Sequence, residues 1–162
     1  MKNYVEVYED KKLIGRSENL VVTTGRNFLM NLLTSSVYNN WSLNYFAVGN
    51  GGGDPSNPLI PIAPQSSDTT LTSPLILGSG YAGGGYYKPI TSITPVTQTS
   101  CLVTLTVAQS DLSSYGYVLY NEVGLFAASN TNPTTFILYA RITIPIQKDP
   151  TRSQVLQWYL FF

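Results

Sequence analysis

Alternation of apolar and polar side chains near the end of the sequence places the strongest constraint on the fold. Every even position of the segment 136–144 is apolar, while Arg141 and Thr143 occupy odd positions. The even positions of the segment 155–162 are again all apolar. Because successive side chains of a β-strand point to opposite faces, both segments predict half-buried strands. Gln157 is expected on the outer face. The inward residues of the second segment are expected to face the core or a subunit interface: Leu156, Trp158, Leu160 and Phe162.

Shorter strand candidates, separated by Gly, Pro and Asn turns, occur through the rest of the chain. They cover about residues 4–8, 18–23, 45–48, 86–93, 96–107 and 117–127. Together these segments make about eight strands, which predicts an all-β fold, either an antiparallel β-sandwich or an open barrel. The length of 162 residues suits one domain, so we treat residues 1–162 as a single β-rich domain.

One short α-helix is expected at about residues 25–35. Thr24 is a suitable N-cap for it, because its hydroxyl can accept a hydrogen bond from a free N–H of the first turn. The apolar residues of this segment recur at helical spacing, which predicts one buried face. That face contains Phe28, Leu29, Leu32 and Leu33.

Two long loops rich in Gly and Pro are expected at about 49–74 and 78–85. Long stretches without periodicity in a compact domain are usually functional loops or disordered segments, so we expect variable contacts there. Aromatic residues near these loops are candidates for a ligand or contact site: Trp41, Tyr81, Tyr86 and Tyr87. Two interpretations stay open, since such rings can stack on sugars or pack within a core or a subunit contact.

Charge is scarce and balanced in this sequence. Nine basic and nine acidic residues give a net charge of zero, so neither nucleic acid nor an anionic membrane surface is an expected partner. Only 11% of residues are charged, against about 25% in typical domains, and the segment 89–110 has none. Either Thr, Ser and Asn solvate this surface, or other subunits cover it.

No apolar run is long enough for a membrane-spanning helix, and the first residues lack the apolar core of a signal peptide, so we expect no membrane insertion.

The residues that usually carry catalysis are missing. The chain has no histidine and one cysteine, which excludes histidine-based triads and the common transition-metal ligand sets. Cys101 lies in an alternating segment and is expected to be a small core residue. Asp54 and Asp68 could form a carboxylate pair, but both lie among turn-forming residues, and a turn or surface role is preferred. We therefore expect no catalytic residue, no cofactor, no metal and no enzymatic activity.

A Gly-x-Gly-x-x-Gly pattern at Gly78, Gly80 and Gly83 does not alter this expectation. In a dinucleotide site these glycines open a helix whose N-terminus holds the pyrophosphate. The residues that follow, Gly84-Gly85-Tyr86-Tyr87-Lys88-Pro89, do not favour a helix, and no acidic residue follows at the spacing that a ribose contact requires. The pattern is therefore interpreted as a loop.

Glu122 is the one acidic residue inside an otherwise apolar strand candidate, 117–127. A carboxylate buried there without a partner would be strongly destabilising. We therefore expect an ion pair with Arg26 or Arg141. The alternative is an exposed glutamate on a solvated face.

Several short segments follow one another along the chain: Asn19–Leu29, Tyr45–Gly49, Ser67–Leu71, Asn121–Phe126 and Leu138–Ile142, followed by an aromatic C-terminal strand. Their order resembles that of small tail and fibre-associated proteins of tailed bacteriophages. The resemblance spans nearly the whole chain, although the loop before Ser67 is longer than in those proteins.

The resemblance implies a passive structural subunit of the tail apparatus, in the baseplate, the neck or the fibre attachment. Its partners would be other virion proteins and further copies of itself, with a trimer preferred because fibres are commonly trimeric. The protein would be assembled in the host cytoplasm and reside in the virion. The alternatives are a glycan-binding receptor module of the tail, which would contact host-surface glycan, and a capsid decoration protein.

Overall fold

Two five-stranded antiparallel sheets form most of the computed structural model, which describes residues 2–162. The first sheet has the strand order β2-β1-β12-β9-β8, and the second has the order β3-β11-β10-β4-β7. β5 and β6 form a separate hairpin. The strands are β1 (Tyr4–Glu9), β2 (Lys12–Glu18), β3 (Leu20–Val21), β4 (Trp41–Gly49), β5 (Gly53–Asp54), β6 (Asn57–Pro61), β7 (Lys88–Pro89), β8 (Ser92–Thr97), β9 (Ser100–Val107), β10 (Val118–Ser129), β11 (Phe136–Lys148) and β12 (Gln154–Phe161).

The expected all-β fold is confirmed, and of the two expected arrangements the two sheets form the antiparallel sandwich. Eight of the strands contain six residues or more, and the other four are short segments at the sheet edges or in the hairpin. The expected strand at 86–93 is replaced by a turn followed by β7 and β8. The reason lies in the glycines before it, since Gly83, Gly84 and Gly85 adopt positive φ angles that suit a tight turn.

The main core lies between the facing sides of the two sheets. β12 is the central strand of the first sheet, and its Trp158 lies between Val5 of β1 and Val103 of β9. These side chains belong to one buried cluster that includes Phe46 of β4 and Val123 of β10. Burying side chains of this size stabilises a fold by about 1.5–3 kcal/mol each. The alternation seen in the sequence thus directs the packing of the two sheets.

The C-terminal strand follows its predicted pattern up to its last residue. Leu156, Trp158 and Leu160 are at most 2% exposed, while Gln157 lies on the opposite, partly exposed face. Phe162 was expected in the core or at an interface, but it follows β12 and is 69% exposed in this chain. Its backbone N–H donates a hydrogen bond to the Thr99 carbonyl oxygen at 2.8 Å.

The expected helix is present as α1 (Thr23–Thr34), with two differences from the prediction. Its N-cap is Val22, and the Thr24 hydroxyl donates to the Leu138 carbonyl of β11 instead of capping the helix. Phe28 is buried as expected, but Leu33 is 85% exposed. A short 3₁₀ turn, Ser36–Tyr38, follows the helix.

The second sheet is covered on both faces. The face turned away from the first sheet carries a smaller buried cluster: Val22, Ala47, Leu71, Phe126 and Leu138. Leu71 comes from the long loop between β4 and β7, so part of this loop packs over the sheet as an outer layer. This double coverage explains why β10 is buried without alternation from Tyr120 to Ala128.

Candidate functional site

Glu122 is fully buried and organises the long loop that follows β4. One carboxylate oxygen accepts hydrogen bonds from the backbone N–H groups of Ser73 at 2.8 Å and Gly51 at 3.3 Å. The other oxygen accepts the Thr72 N–H at 3.0 Å and lies 2.5 Å from Nη2 of Arg141. Glu122 therefore joins both ends of the loop to β10 and β11. We call residues 50–74 the strap.

Arg141 is the partner of Glu122, and Arg26 is not. Arg26 is exposed in the first turn of α1 and makes no ion pair with Glu122 in the described chain. Arg141 also contacts Asp68 of the strap, with Nη1 and Oδ2 2.5 Å apart, and its Nη2 donates to the Thr72 hydroxyl at 2.9 Å. Its guanidinium therefore bridges two carboxylates, one from the sheet and one from the strap. We call this group of contacts the strap clamp.

The two aspartates considered for catalysis serve the strap backbone. One oxygen of Asp54 accepts the N–H groups of Ser56 and Asn57, as in an Asx turn. Asp68 accepts the Gln65 N–H at 2.9 Å besides its contact with Arg141. Both carboxylates therefore have turn contacts, and sequence reasoning missed only that Asp68 would join the ion pair.

The four candidate aromatic residues are not gathered at one site. Trp41 packs edge-to-face on Tyr38, with ring centroids 5.1 Å apart. Tyr87 stacks on Phe136 with centroids 3.8 Å apart, and it also meets Phe126 edge-on. Tyr86 is partly buried. Packing within this chain therefore accounts for Trp41 and Tyr87, while Tyr81 has a different environment.

Tyr81 belongs to a second buried charge cluster, around Asp111. Asp111 is 2% exposed, and its carboxylate accepts hydrogen bonds from the Tyr81 hydroxyl at 2.8 Å and the Ala108 N–H at 2.7 Å. Nζ of Lys88 lies 2.5 Å from the same carboxylate and 5.1 Å from the centre of the Tyr81 ring. Lys88 and Asp111 neutralise each other and fix the loop that precedes β7 against the turn that follows β9.

A third buried charge is Lys148, at the end of β11. Its amino group donates to the backbone carbonyls of Asp149 and Arg152, both at 2.6 Å, and so closes the turn between β11 and β12. Burial lowers the pKa of Lys148. Nearby, the buried Tyr120 hydroxyl donates to the Gln154 side chain at 2.9 Å, and burial raises the pKa of Tyr120. Nothing in the sequence pattern distinguished these residues from ordinary strand ends.

Cys101 is partly buried on β9, and burial raises the pKa of its thiol. A raised pKa leaves less of the reactive thiolate at neutral pH.

Within residues 2–162, no group of three or more His, Cys, Asp or Glu side chains is arranged to hold a metal ion. Over the same residues, no helix is long and apolar enough to cross a membrane.

Exposed charge is concentrated at one place on the protein. Eight charged residues of the described chain are exposed, and all but Arg26 lie on the β1–β2 hairpin or beside it: Lys2, Asp10, Lys11, Lys12, Arg16, Glu18 and Arg152. Arg152 contacts Glu9 and Asp10 near the tip of this hairpin. We call this region the charged hairpin.

Outside the charged hairpin, large apolar side chains are exposed at several positions, including Ile76, Tyr115, Tyr117 and Phe162, and three groups lie close together in the sequence. The end of α1 and the following turn expose Met30, Leu33 and Val37, which are 61%, 85% and 72% exposed. The strap exposes Leu59, Ile60 and Ile62, and the edge strand β8 exposes Ile93 and Val96. Single exposed apolar residues are ordinary, but clusters of them are typical of interaction surfaces. These three apolar sites are the best candidates for contact with another protein.

Comparisons with protein-family models, with curated proteins and with solved structures found no match.

Proposed function

We propose that this chain is a non-enzymatic structural subunit of the tail apparatus of a tailed bacteriophage, in the baseplate, neck or fibre attachment. It acts by packing against further copies of itself and other virion proteins. The observation that carries the proposal is that the three apolar sites contain no charged residue, while most of the exposed charge lies on one hairpin. Interfaces between subunits are depleted in charge at their centre, whereas a free surface is usually charged throughout.

The segments that resemble phage proteins also form one packing unit. β10, carrying Asn121–Phe126, lies between β11, which carries Leu138–Ile142, and β4, which carries Tyr45–Gly49. In the segment Ser67–Leu71, Asp68 contacts Arg141, and Leu71 packs on the outer face of this sheet. The loop that is longer than in those proteins contains the β5–β6 hairpin, which exposes Leu59 and Ile60. The common packing of the segments supports treating them as a single resemblance. The β5–β6 hairpin is then an addition specific to this chain.

Buried charges give the contact surfaces a fixed shape, which supports a structural role. Glu122 and Arg141 hold the strap at its two ends, so that its apolar tip is presented in one position. Surfaces that are ordered before binding lose less conformational freedom when subunits associate. A symmetric assembly requires the same surface in every copy. We prefer a trimer, by analogy with fibres.

The oligomeric mass of the purified protein tests the assembly part of the proposal. Light scattering during size-exclusion chromatography should give three times the 17.8 kDa of one chain. Leu33→Glu and Ile60→Glu, each placing charge at an apolar site, should weaken assembly without lowering the melting temperature of the monomer. The matched control is Leu13→Glu, on the charged hairpin, which should assemble normally. A protein that stays monomeric at high concentration would contradict self-assembly.

Immunogold electron microscopy of phage particles that carry this chain tests its position. Labelling at the tail or its fibres is expected. Labelling spread over the head would favour a capsid decoration protein instead, and particles without label would contradict a virion location.

A further inference from the structure

Asn50 begins the strap and is the one asparagine of the chain that glycine follows. Asparagine deamidates most readily before glycine, because the missing Cβ leaves the next backbone nitrogen unhindered. That nitrogen loses its proton, attacks the side-chain carbonyl carbon of the asparagine and expels ammonia. Water then opens the resulting succinimide ring to aspartate or isoaspartate. Asn50 directly follows β4 and is exposed, so water reaches it.

Packing of the strap requires glycine at position 51. A Cβ at Gly51 would lie 2.7 Å from Cβ of Thr72 and 2.8 Å from the backbone nitrogen of Ser73. The Ser73 backbone is fixed, because its N–H donates to Glu122 at 2.8 Å. The two ends of the strap therefore approach too closely for a larger residue, and the fold retains a reactive Asn-Gly pair. We call residues 50–51 and 72–73 the strap root.

Three hydrogen bonds hold the backbone of this pair. The Asn50 N–H donates to the Ser73 carbonyl at 3.0 Å, and the Asn50 carbonyl accepts from the Asn121 side chain at 3.3 Å. The Gly51 N–H donates to the Glu122 carboxylate at 3.3 Å. Succinimide formation replaces the hydrogen on the Gly51 nitrogen by the side-chain carbon of Asn50. The hydrogen bond from Gly51 to Glu122 must therefore break before the ring can close.

The negative charge of Glu122 also opposes the reaction. A Gly51 nitrogen that has lost its proton would face a buried carboxylate, which is an unfavourable arrangement of like charges. Glu122 is already engaged, because it accepts two other N–H groups and faces the Arg141 guanidinium. Its oxygens are therefore not free to remove the Gly51 proton.

We propose that Asn50 is a deamidation site that the strap clamp protects. Ring closure is blocked while the Gly51 N–H is bound to Glu122, and it proceeds when the strap root opens by local unfolding. The product carries a new carboxylate next to Gly51, and isoaspartate also lengthens the main chain by one carbon. The contacts of the strap root with Ser73 and Glu122 then cannot all form again, so the strap stays open. This inference concerns the strap alone and does not depend on the subunit role proposed above.

Incubation of the purified full chain at mildly alkaline pH tests the proposal. Peptide mapping by mass spectrometry measures the conversion of Asn50, and labelling with isoaspartyl methyltransferase measures the isoaspartate formed. A synthetic peptide with the sequence of residues 45–56 gives the rate without a fold. The original chain should deamidate roughly tenfold or more slowly than the peptide, because only the open strap root reacts. Asn50→Gln should remove the signal that belongs to this site.

Glu122→Ala removes the acceptor of the Gly51 N–H, and it should deamidate roughly tenfold or more faster than the original chain. The comparison is made at a temperature at which circular dichroism shows the variant folded. Leu105→Ala is the matched control, because it opens a cavity at a buried position of β9, in the other sheet, and lowers stability with the clamp intact. It should deamidate at the original rate.

If Glu122→Ala does not fold, Glu122→Gln takes its place. This variant keeps the size of the side chain and removes its charge, and it should also deamidate faster than the original chain.

Three results would overturn the protected site. If the original chain deamidates as fast as the peptide, the fold gives no protection. Equal rates in the original chain and the Glu122 variant would show that Glu122 is not its source. Equal acceleration in Leu105→Ala and the Glu122 variant would show that global unfolding, and not the clamp, controls the reaction.

Discussion

Replacing Glu122 by alanine is the most informative perturbation of this fold. The substitution removes the carboxylate that accepts three backbone N–H groups of the strap and faces the Arg141 guanidinium. Arg141 is 7% exposed and would keep only Asp68 as an ionic partner. The variant therefore leaves a buried cation half-compensated and frees both ends of the strap.

The expected loss is large because the remaining charge stays buried. Removing one member of a buried ion pair typically destabilises a protein by about 3–5 kcal/mol. For a domain of this length each kcal/mol lowers the melting temperature by about 2–4 °C, so Glu122→Ala should melt roughly 6–20 °C lower. Glu18→Ala is the matched control, since Glu18 pairs with Lys2 in solvent and both side chains are more than 60% exposed. An exposed pair of this kind is worth under about 1 kcal/mol.

Thermal unfolding followed by circular dichroism measures the stability lost in Glu122→Ala. A double-mutant cycle shows how much of that loss belongs to the Glu122–Arg141 pair. Adding Arg141→Met to Glu122→Ala removes the buried cation that the single variant leaves half-compensated. The double variant should therefore be less destabilised than the sum of the two single variants, although the three strap N–H groups stay without their acceptor. Limited proteolysis should also cleave the strap of Glu122→Ala faster than that of the original chain. A shift below 2 °C in Glu122→Ala would show that the clamp contributes little, and the reasoning from its geometry would be wrong.

Three further predictions concern the core and its edges. Burial raises the pKa of Tyr139 to about 12, so between about pH 10 and 12 the unfolded chain releases a proton that the folded chain retains, and stability should fall. When the pH rises from 8 to 11, the urea concentration at the unfolding midpoint should decrease less in Tyr139→Phe than in the original chain. Tyr117→Phe, at a 70% exposed position, should show the same decrease as the original chain. Deleting Leu160–Phe162 should give insoluble protein, whereas deleting the last residue alone should leave the melting curve nearly unchanged. Gly25→Ala should lower the melting temperature despite the better helix propensity of alanine, because its Cβ would clash with the Tyr139 carbonyl oxygen of β11. Gly80→Ala, whose Cβ would lie in open space, should leave the melting temperature unchanged.

The sheets could be predicted from the sequence because their signal is local. Alternation over 136–144 identified β11, which lies next to the central strand of the second sheet. Alternation over 155–162 identified β12, the central strand of the first sheet. The helix was less predictable, since its apolar residues cover a wider arc than the face that is buried, and their periodicity did not decide which part of that arc packs on the sheet. Leu33 was placed inward on spacing alone and lies outward, because Gly25 sets the side of the helix that approaches β11.

The ion pair was only partly predictable. Glu122 in an apolar strand required a cation, and the sequence offered two. Arg141 became the partner because Thr143 of β11 lies opposite Glu122 in the ladder, so Arg141 is only two residues away and its side chain points to the same face. The involvement of Asp68 could not be predicted, because it depends on how a long loop returns over the sheet. The cluster around Asp111 depends on the same kind of loop closure.

The buried charges of this protein all support irregular backbone. Glu122 and Arg141 hold the strap, Asp111 holds the loop before β7, and Lys148 closes the turn between β11 and β12. Regular strands satisfy their own N–H and C=O groups, whereas loops need other partners for theirs. An ionised group forms stronger hydrogen bonds to backbone than a neutral one does. In a chain with few charges, this placement gives its loops defined shapes and leaves Arg26 as the one exposed charge of the described residues away from the charged hairpin. Both properties are consistent with the subunit role proposed above, in which loops and sheet edges form the contacts.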